Sequence, residues 1–192
     1  MFASTPAGLK DAPVSKALCL GTIALPFAIS ILSAQYRLNL QLAPHLTVWH
    51  QWYRIVGNQL VYTDQVQTCF AAGLFYELRA LERALGSRKY LELVVAAAAS
   101  ATVVMPIALG LVPWLWTLDV LPGPTSLLVA LLTSYFRVIP PVFVYRLKGL
   151  FSFSDKWLLL LFLPTLMLPP GGFLKAAIGF ICGNIVGPLV IG

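Results

Sequence analysis

An all-α, polytopic membrane fold of six transmembrane helices is what this sequence predicts, and three observations predict it. Hydrophobic residues make up 59% of the chain and charged residues 10%, and mean hydropathy is +0.84, which leaves too little polar surface for a soluble globule. Apolar segments run over 16–34, 62–81, 91–112, 123–139, 157–168 and 173–191. The cations alternate with those segments: Lys10, Lys16, Arg79, Arg83, Arg88, Lys89, Arg137, Arg146, Lys148 and Lys156 fall on one side, and only Arg37, Arg54 and Lys175 on the other. By the positive-inside bias the first side is cytosolic, which puts both termini there.

The elements follow in chain order. The first apolar run starts near Val14 and carries Pro26, and several more spans follow it, so it reads as a retained helix and not a cleaved signal. Segment 35–61 mixes Trp49, Trp52, Tyr53, His45 and His50, the composition of a loop lying at the membrane interface. Gly86-Ser87 is expected to end one helix and cap the next, Pro122-Gly123-Pro124 to open the fourth span, and Pro169-Pro170-Gly171-Gly172 to divide the last two. Between Lys156 and that last break the fifth span has room for only a short helix. With no repeat or low-complexity linker, residues 1–192 are expected to form a single domain.

Several function classes are excluded on these grounds. The net charge of +6 is dispersed between apolar runs, so nucleic acid is not expected as a partner. The three cysteines lie singly in apolar stretches without CxxC spacing, which argues against a disulfide framework or a zinc site. His45 and His50 lack further ligands nearby and read as interfacial polar residues, so no metal or cofactor is expected.

Gly179, Gly183 and Gly187 in the last span are spaced by fours and share one helix face, the small-residue pattern that lets two helices approach closely in lipid. Asn58, Gln59, Asp64 and Asn184 are polar at or near membrane depth, where such groups are costly and often face a cavity or a partner, so they are candidates for client contact. Glu77, Arg79, Glu82 and Arg83 read as local ion pairs and turn anchors.

Tyr53-Arg54 followed by Ile55-Val56-Gly57-Asn58 resembles the Trp-Arg signature in the first loop of the rhomboid superfamily, with Tyr in place of Trp. Glu82-Arg83-Ala84-Leu85-Gly86-Ser87-Arg88-Lys89 resembles the sequence that joins that superfamily's second and third helices, and the spaced glycines of the last helix complete the set. The start, Met1-Phe2-Ala3-Ser4-Thr5 with Ala12-Pro13-Val14-Ser15-Lys16, and the loop Ser152-Phe153-Ser154-Asp155-Lys156 are similar to rhomboid-like proteins that carry a C-terminal ubiquitin-associated domain. Fungal members of that group are subunit 2 of the Golgi Dsc ubiquitin ligase complex, and derlins are more distant relatives.

The resemblance implies a six-helix rhomboid-like domain in the membrane of the endoplasmic reticulum or Golgi; this sequence departs from the pattern in stopping at Gly192, so the ubiquitin-associated domain is not expected within it. It implies structural roles for Tyr53, Arg54, Glu82, Arg83, Gly86 and Ser87. The partners it implies are other membrane subunits of a ubiquitin ligase complex, transmembrane client proteins and the lipid bilayer.

Rhomboid proteases use a Gly-x-Ser-Gly serine at the start of the fourth helix and a histidine in the sixth. Here the stretch is Gly123-Pro124-Thr125-Ser126, and Asn184 falls about where the histidine is expected. A serine needs a base, and an amide is not one. The expectation is therefore a pseudoprotease with no catalytic residues. An active intramembrane serine protease and a small transporter are the rival readings.

Overall fold

The computed structural model describes residues 8–33, 38–42, 47, 49–111, 116, 118–140, 144–147, 151–154 and 156–191. His45, Arg37, Trp114, Lys148, Asp155 and the opening Met1-Phe2-Ala3-Ser4-Thr5 lie outside the described residues. The chain order is α1 (Pro13–Ile31), α2 (Tyr53–Gly57), α3 (Gln65–Glu77), α4 (Arg79–Leu85), α5 (Ser87–Leu111), α6 (Thr125–Val138), the strands β1 (Val144–Leu147) and β2 (Phe151–Ser154), α7 (Trp157–Met167) and α8 (Gly172–Ile191).

The all-α class holds, and each expected apolar segment contains a helix. Length is another matter. Among the described residues α1, α5 and α8 are long and apolar enough to cross a bilayer. By contrast α3, α6 and α7, with 13, 14 and 11 residues, are not. Helix length alone thus supports three spans, and the six-span count is not established by it. The outer faces of the long helices are apolar, with Leu20 and Phe27 on α1, Val95 and Val103 on α5 and Phe180 and Ile185 on α8 all exposed, as a lipid-facing surface requires.

Two local departures from the sequence expectation have physical causes. The second apolar segment does not form one helix: it breaks at Leu78, and α4 turns so that Glu82 meets the start of α1. The connection between α6 and α7, expected as a simple loop, holds a short antiparallel hairpin with Val144 opposite Ser154 and Leu147 opposite Phe151. Its segments are rich in Val, Tyr and Phe, residues that suit a pleated backbone.

At the centre stands α6, buried along every residue from Thr125 to Leu132 and at Ser134. A helix buried all round needs apolar cover on every side. Phe75 and Leu74 of α3, Tyr90, Leu93 and Ala97 of α5, and Leu159 and Leu166 of α7 supply it in one cluster with Leu128 and Leu131. A second cluster joins Met105 and Leu109 of α5 to Ile178 and Cys182 of α8 and to Leu40 and Val120 in the loops.

Against α6 lies α8, with only small α6 side chains near the glycines at three levels. A β-carbon on Gly179 would meet the Ser126 backbone, one on Gly183 would stand 2.8 Å from Ala130 Cα, and one on Gly187 would stand 3.0 Å from Ser134 Oγ. The contacts rise in the same order along both chains, so the two helices run parallel. The chain between them therefore reverses direction, and α7, which packs mainly against α3, lies in that return.

Candidate functional site

Polar side chains gather at two ends of the helix bundle. The first group forms where segment 38–62, the connection 118–124 and the start of α8 converge. Leu40 and Val120 exchange backbone hydrogen bonds at 3.1 and 2.9 Å, a single antiparallel bridge that ties the two segments. Asn58 is fully buried and its Nδ2 donates to the carbonyls of Leu38 at 3.1 Å and Val120 at 2.8 Å. Gly123 donates its N–H to Asn58 O at 2.8 Å. Only glycine suits that position: its φ of 152° is disfavoured for other residues, and a β-carbon would run into the Tyr62 ring.

Lys175 is the hub of this knot. It is 1% exposed, and its Nζ donates to Asn58 O at 3.1 Å, Leu121 O at 2.8 Å and Gly123 O at 2.9 Å. An ammonium has three donors, and here all three meet carbonyls. In the sequence Lys175 reads only as a topology cation. A lone lysine one turn into an apolar helix is itself the signal that was available, because an ionisable residue at such a position must have partners.

Next to the hub, the Ser126 hydroxyl donates to Gln59 Oε1 at 2.6 Å, and Tyr62 OH and Thr125 Oγ1 lie 3.1 Å apart. Asn58 Oδ1 and Gln59 Nε2 are buried without a hydrogen-bond partner among the described residues. Facing Ser126 across the seam is Gly179. Asn184 lies elsewhere: its Oδ1 accepts from Arg137 Nη2 at 2.6 Å and its Nδ2 donates to Phe180 O at 2.8 Å. The alignment of Asn184 with a base opposite Ser126 is thus corrected by more than one turn of α8. His50 is exposed, with φ 51°, in the loop before α2.

Arg54 and Asp64 shape the approach to the knot. Arg54 is buried, donates from Nη1 to Asn39 O at 2.8 Å and from Nε to Gln51 Oε1 at 2.5 Å, and so ties α2 to the segment before it. Tyr53 beside it is exposed, with its ring 6.0 Å from the Arg54 guanidinium carbon. Asp64 caps α3: its Oδ1 accepts from Val66 N at 3.2 Å, relieving one of the open donors of a helix start.

The second group lies at the opposite end of α3, around α4. Glu82 accepts from Val14 N at 3.0 Å and Ser15 N at 2.7 Å, so a carboxylate from α4 caps the start of α1. The helix dipole favours a negative charge there. Burial, the largest single influence, pushes the Glu82 carboxyl up, but the hydrogen bonds from Ser15, Val14 and Ser87 together outweigh it and hold the group below its ordinary value. Arg83 Nη2 donates to Gly8 O at 2.8 Å and Lys10 O at 2.7 Å, securing the segment before α1. Gly86, with φ 85°, then ends α4 in a conformation few other residues adopt, and Ser87 begins α5. The expected local ion pairs are replaced by these clamps. Among the described residues the ion pair present is Arg88 with Glu92 at 3.8 Å, both exposed.

Between α1 and α3 a cavity of about 390 Å³ is lined by Pro26 and Phe27 on one side and by Thr68, Cys69 and Ala72 on the other. Cys19, Cys69 and Cys182 are free thiols. Among the described residues no three His, Cys, Asp or Glu side chains converge as a metal site would need.

Comparison with known proteins places the chain. It is 28% identical over 170 residues to the DSC E3 ubiquitin ligase complex subunit 2 of Schizosaccharomyces pombe, covering 86% of this chain and 45% of that protein. It is 27% identical over 165 residues to the ubiquitin-associated domain-containing protein 2 of Gallus gallus, covering 81% and 47%. It is 26% identical over 184 residues to the rhomboid-like protein 18 of Arabidopsis thaliana, covering 96% and 63%. The chain thus spans about half the length of the first two relatives. The family described as eukaryotic integral membrane protein (DUF1751) matches residues 16–184, and the chain belongs to that family.

Proposed function

We propose that this chain is a non-catalytic, rhomboid-like subunit of a membrane-embedded E3 ubiquitin ligase complex, which recognises or presents membrane-protein clients for ubiquitination and degradation. The observation that carries the reading is the similarity, over 86% of the chain, to a protein named as a subunit of such a complex. The Ser126 hydroxyl, donated to an amide oxygen at 2.6 Å, supports the non-catalytic part, because a nucleophilic serine must give its proton to a base. The membrane is that of the endoplasmic reticulum or Golgi, with both termini cytosolic, and the domain is a single unit over 1–192.

Clients are selected by polarity in the membrane. A helix of 11 residues, such as α7, spans about 17 Å at roughly 1.5 Å per residue, against a hydrocarbon core of about 30 Å. Such a mismatch thins the bilayer around it. A transmembrane segment with polar residues gains when those residues leave lipid and find partners. Asn58 Oδ1 and Gln59 Nε2, buried without partners among the described residues, are groups that a client side chain entering the knot would satisfy. Asp64 and Asn184 contribute from more exposed positions.

Crosslinking in native membranes followed by mass spectrometry should recover a ubiquitin ligase subunit and transmembrane clients. Recovery of neither, together with labelling of Ser126 by a fluorophosphonate probe, would replace the reading with an intramembrane protease. Insertion of four leucines after Leu161 should slow degradation of clients with polar transmembrane segments while assembly persists. Glycosylation acceptors placed near Asp119 should be modified and ones after Gly192 should not.

A further inference from the structure

Arg79 and Arg83 sit four residues apart on α4 and so share one face of it. The Arg79 guanidinium lies 3.6 Å above the centre of the Tyr76 ring, which fixes its plane. Arg83 is held by the Gly8 and Lys10 carbonyls through Nη2 alone. Among the described residues Nη1 of Arg79 and Nε of Arg83 are shielded from water and have no acceptor. A buried donor without a partner is costly, and more so on a charged group.

The acids nearby do not supply the missing acceptor. Glu82 is turned inward onto the amides of Val14 and Ser15, Glu92 pairs with Arg88, and Glu77 and Asp11 are exposed without a hydrogen bond to either arginine among the described residues. The same clamps draw in more positive charge. Glu82 brings the start of α1, with exposed Lys16, against α4, and Arg83 holds Lys10, while Lys89 projects from the first turn of α5. This end of the bundle is where α1 and α5, two of the helices long and apolar enough to cross a bilayer, begin.

We propose that Arg79 and Arg83 bind the phosphate of an anionic membrane lipid, with Lys10, Lys16 and Lys89 attracting it. A phosphodiester supplies charge and acceptor oxygens to the edges of these two half-buried guanidinium groups that stay open, and arginine matches phosphate in paired hydrogen bonds. Each cation near a membrane surface strengthens attraction to anionic lipid by about fivefold. The site does not depend on the ligase role.

The test uses the full chain reconstituted in nanodiscs of phosphatidylcholine containing one fifth phosphatidylinositol, with the lipid retained after delipidating detergent washes quantified by mass spectrometry. The wild-type chain should retain phosphatidylinositol over phosphatidylcholine. Arg79→Gln should lower that enrichment about fivefold, and Arg88→Gln, which removes an exposed cation already paired with Glu92, should lower it less. Arg79→Lys, which keeps the charge but not the planar fork, should fall between. Circular dichroism and elution volume matching the wild type confirm that each variant is folded. Equal loss in Arg79→Gln and Arg88→Gln, full retention in folded Arg79→Gln, or equal competition by inorganic phosphate at the lipid's concentration would each overturn the proposal.

Discussion

The α6–α8 pair and the α1–α3 pair are built from the same kinds of residues, yet they pack in opposite ways. Along α6–α8 Gly179 and Gly183 bring two backbones together and Gly187 meets the Ser134 side chain, and a β-carbon at any of them would be crowded. In α1 only Ser15 and Thr22 are buried, and the pair leaves a cavity of about 390 Å³. Both helices of that second pair carry glycine as well. A β-carbon on Gly21 or Gly73 would meet nothing within 4 Å. Ala17 and Ala28, which extend the small-residue pattern of α1 on either side of Gly21, are exposed.

Small residues therefore permit close approach without causing it. What fixes the α6–α8 seam is that its ends are locked: Lys175 at one end holds three carbonyls and Asn184 at the other holds Arg137. In α1 the first turn is held by Glu82 and the middle by a weak bond from Cys19 Sγ to Ala72 O at 3.7 Å, and the far end has no comparable tie among the described residues.

The largest effect expected is from Gly183→Leu. The new side chain meets Thr133 Oγ1 and the Ala130 backbone, which cannot move aside as a flexible side chain would. Overpacking typically costs about 1–3 kcal/mol and more against backbone, so little folded protein should survive extraction in mild detergent. Ile185→Leu on the exposed face of the same helix should match the wild type. Similar yields for the two would mean that the seam is not what holds α8.

Lys175→Met should come next. It keeps most of the buried volume but leaves the carbonyls of Asn58, Leu121 and Gly123 with fewer donors, at about 1–3 kcal/mol for each group left unsatisfied. A thermal-unfolding midpoint in detergent well below that of the wild type is expected. Hydrogen exchange should rise first at Gly123, whose own bond to Asn58 depends on the same knot.

Glu82→Gln is expected to be milder, about 1 kcal/mol, as for loss of a charged cap. The sign of its pH dependence follows from the lowered carboxyl value. A group whose native value is depressed stabilises the fold above its unfolded value and loses that contribution as pH falls through the native one. Protease access to the segment before α1 should therefore rise in the wild type as pH drops below the ordinary glutamate value of 4.5. In Glu82→Gln access should be raised already at neutral pH and change little on acidification.

The smallest effect is reserved for Gly21→Ala, the counterpart of Gly183. Nothing stands where its methyl would go, and alanine favours helix by up to about 1 kcal/mol. Stability should be unchanged or slightly raised. A marked loss would show that α1 packs against something absent from the isolated chain.

Much of the architecture was legible in the residues themselves. Hydropathy located the apolar helices because their composition must suit lipid, whatever they pack against. Gly86 and the Pro169-Pro170-Gly171-Gly172 break marked helix ends because backbone conformation is set within a few residues. The glycine period in α8 fell on one face because helix geometry is local. Length of the regular helix was not legible in the same way, since the break at Leu78 arises where α4 turns to meet a helix start more than sixty positions earlier.

The site was less visible, and the reason is sequence separation. Asn58, Val120 and Lys175 form one knot across 62 and 117 positions, and no local pattern in any of the three segments announces the others. Likewise Glu82 and Arg83 read as neighbours in a charged turn, whereas their partners are amides and carbonyls of the N-terminal segment. The sequence alone determined which segments form apolar helices, where several of them end and which faces are smooth enough to touch, since each follows from composition and from the few bonds between adjacent residues. Only the tertiary structure decided which smooth face is used and where the buried cation finds its carbonyls, because those contacts depend on backbone groups that every residue carries and that only the assembled chain can bring together.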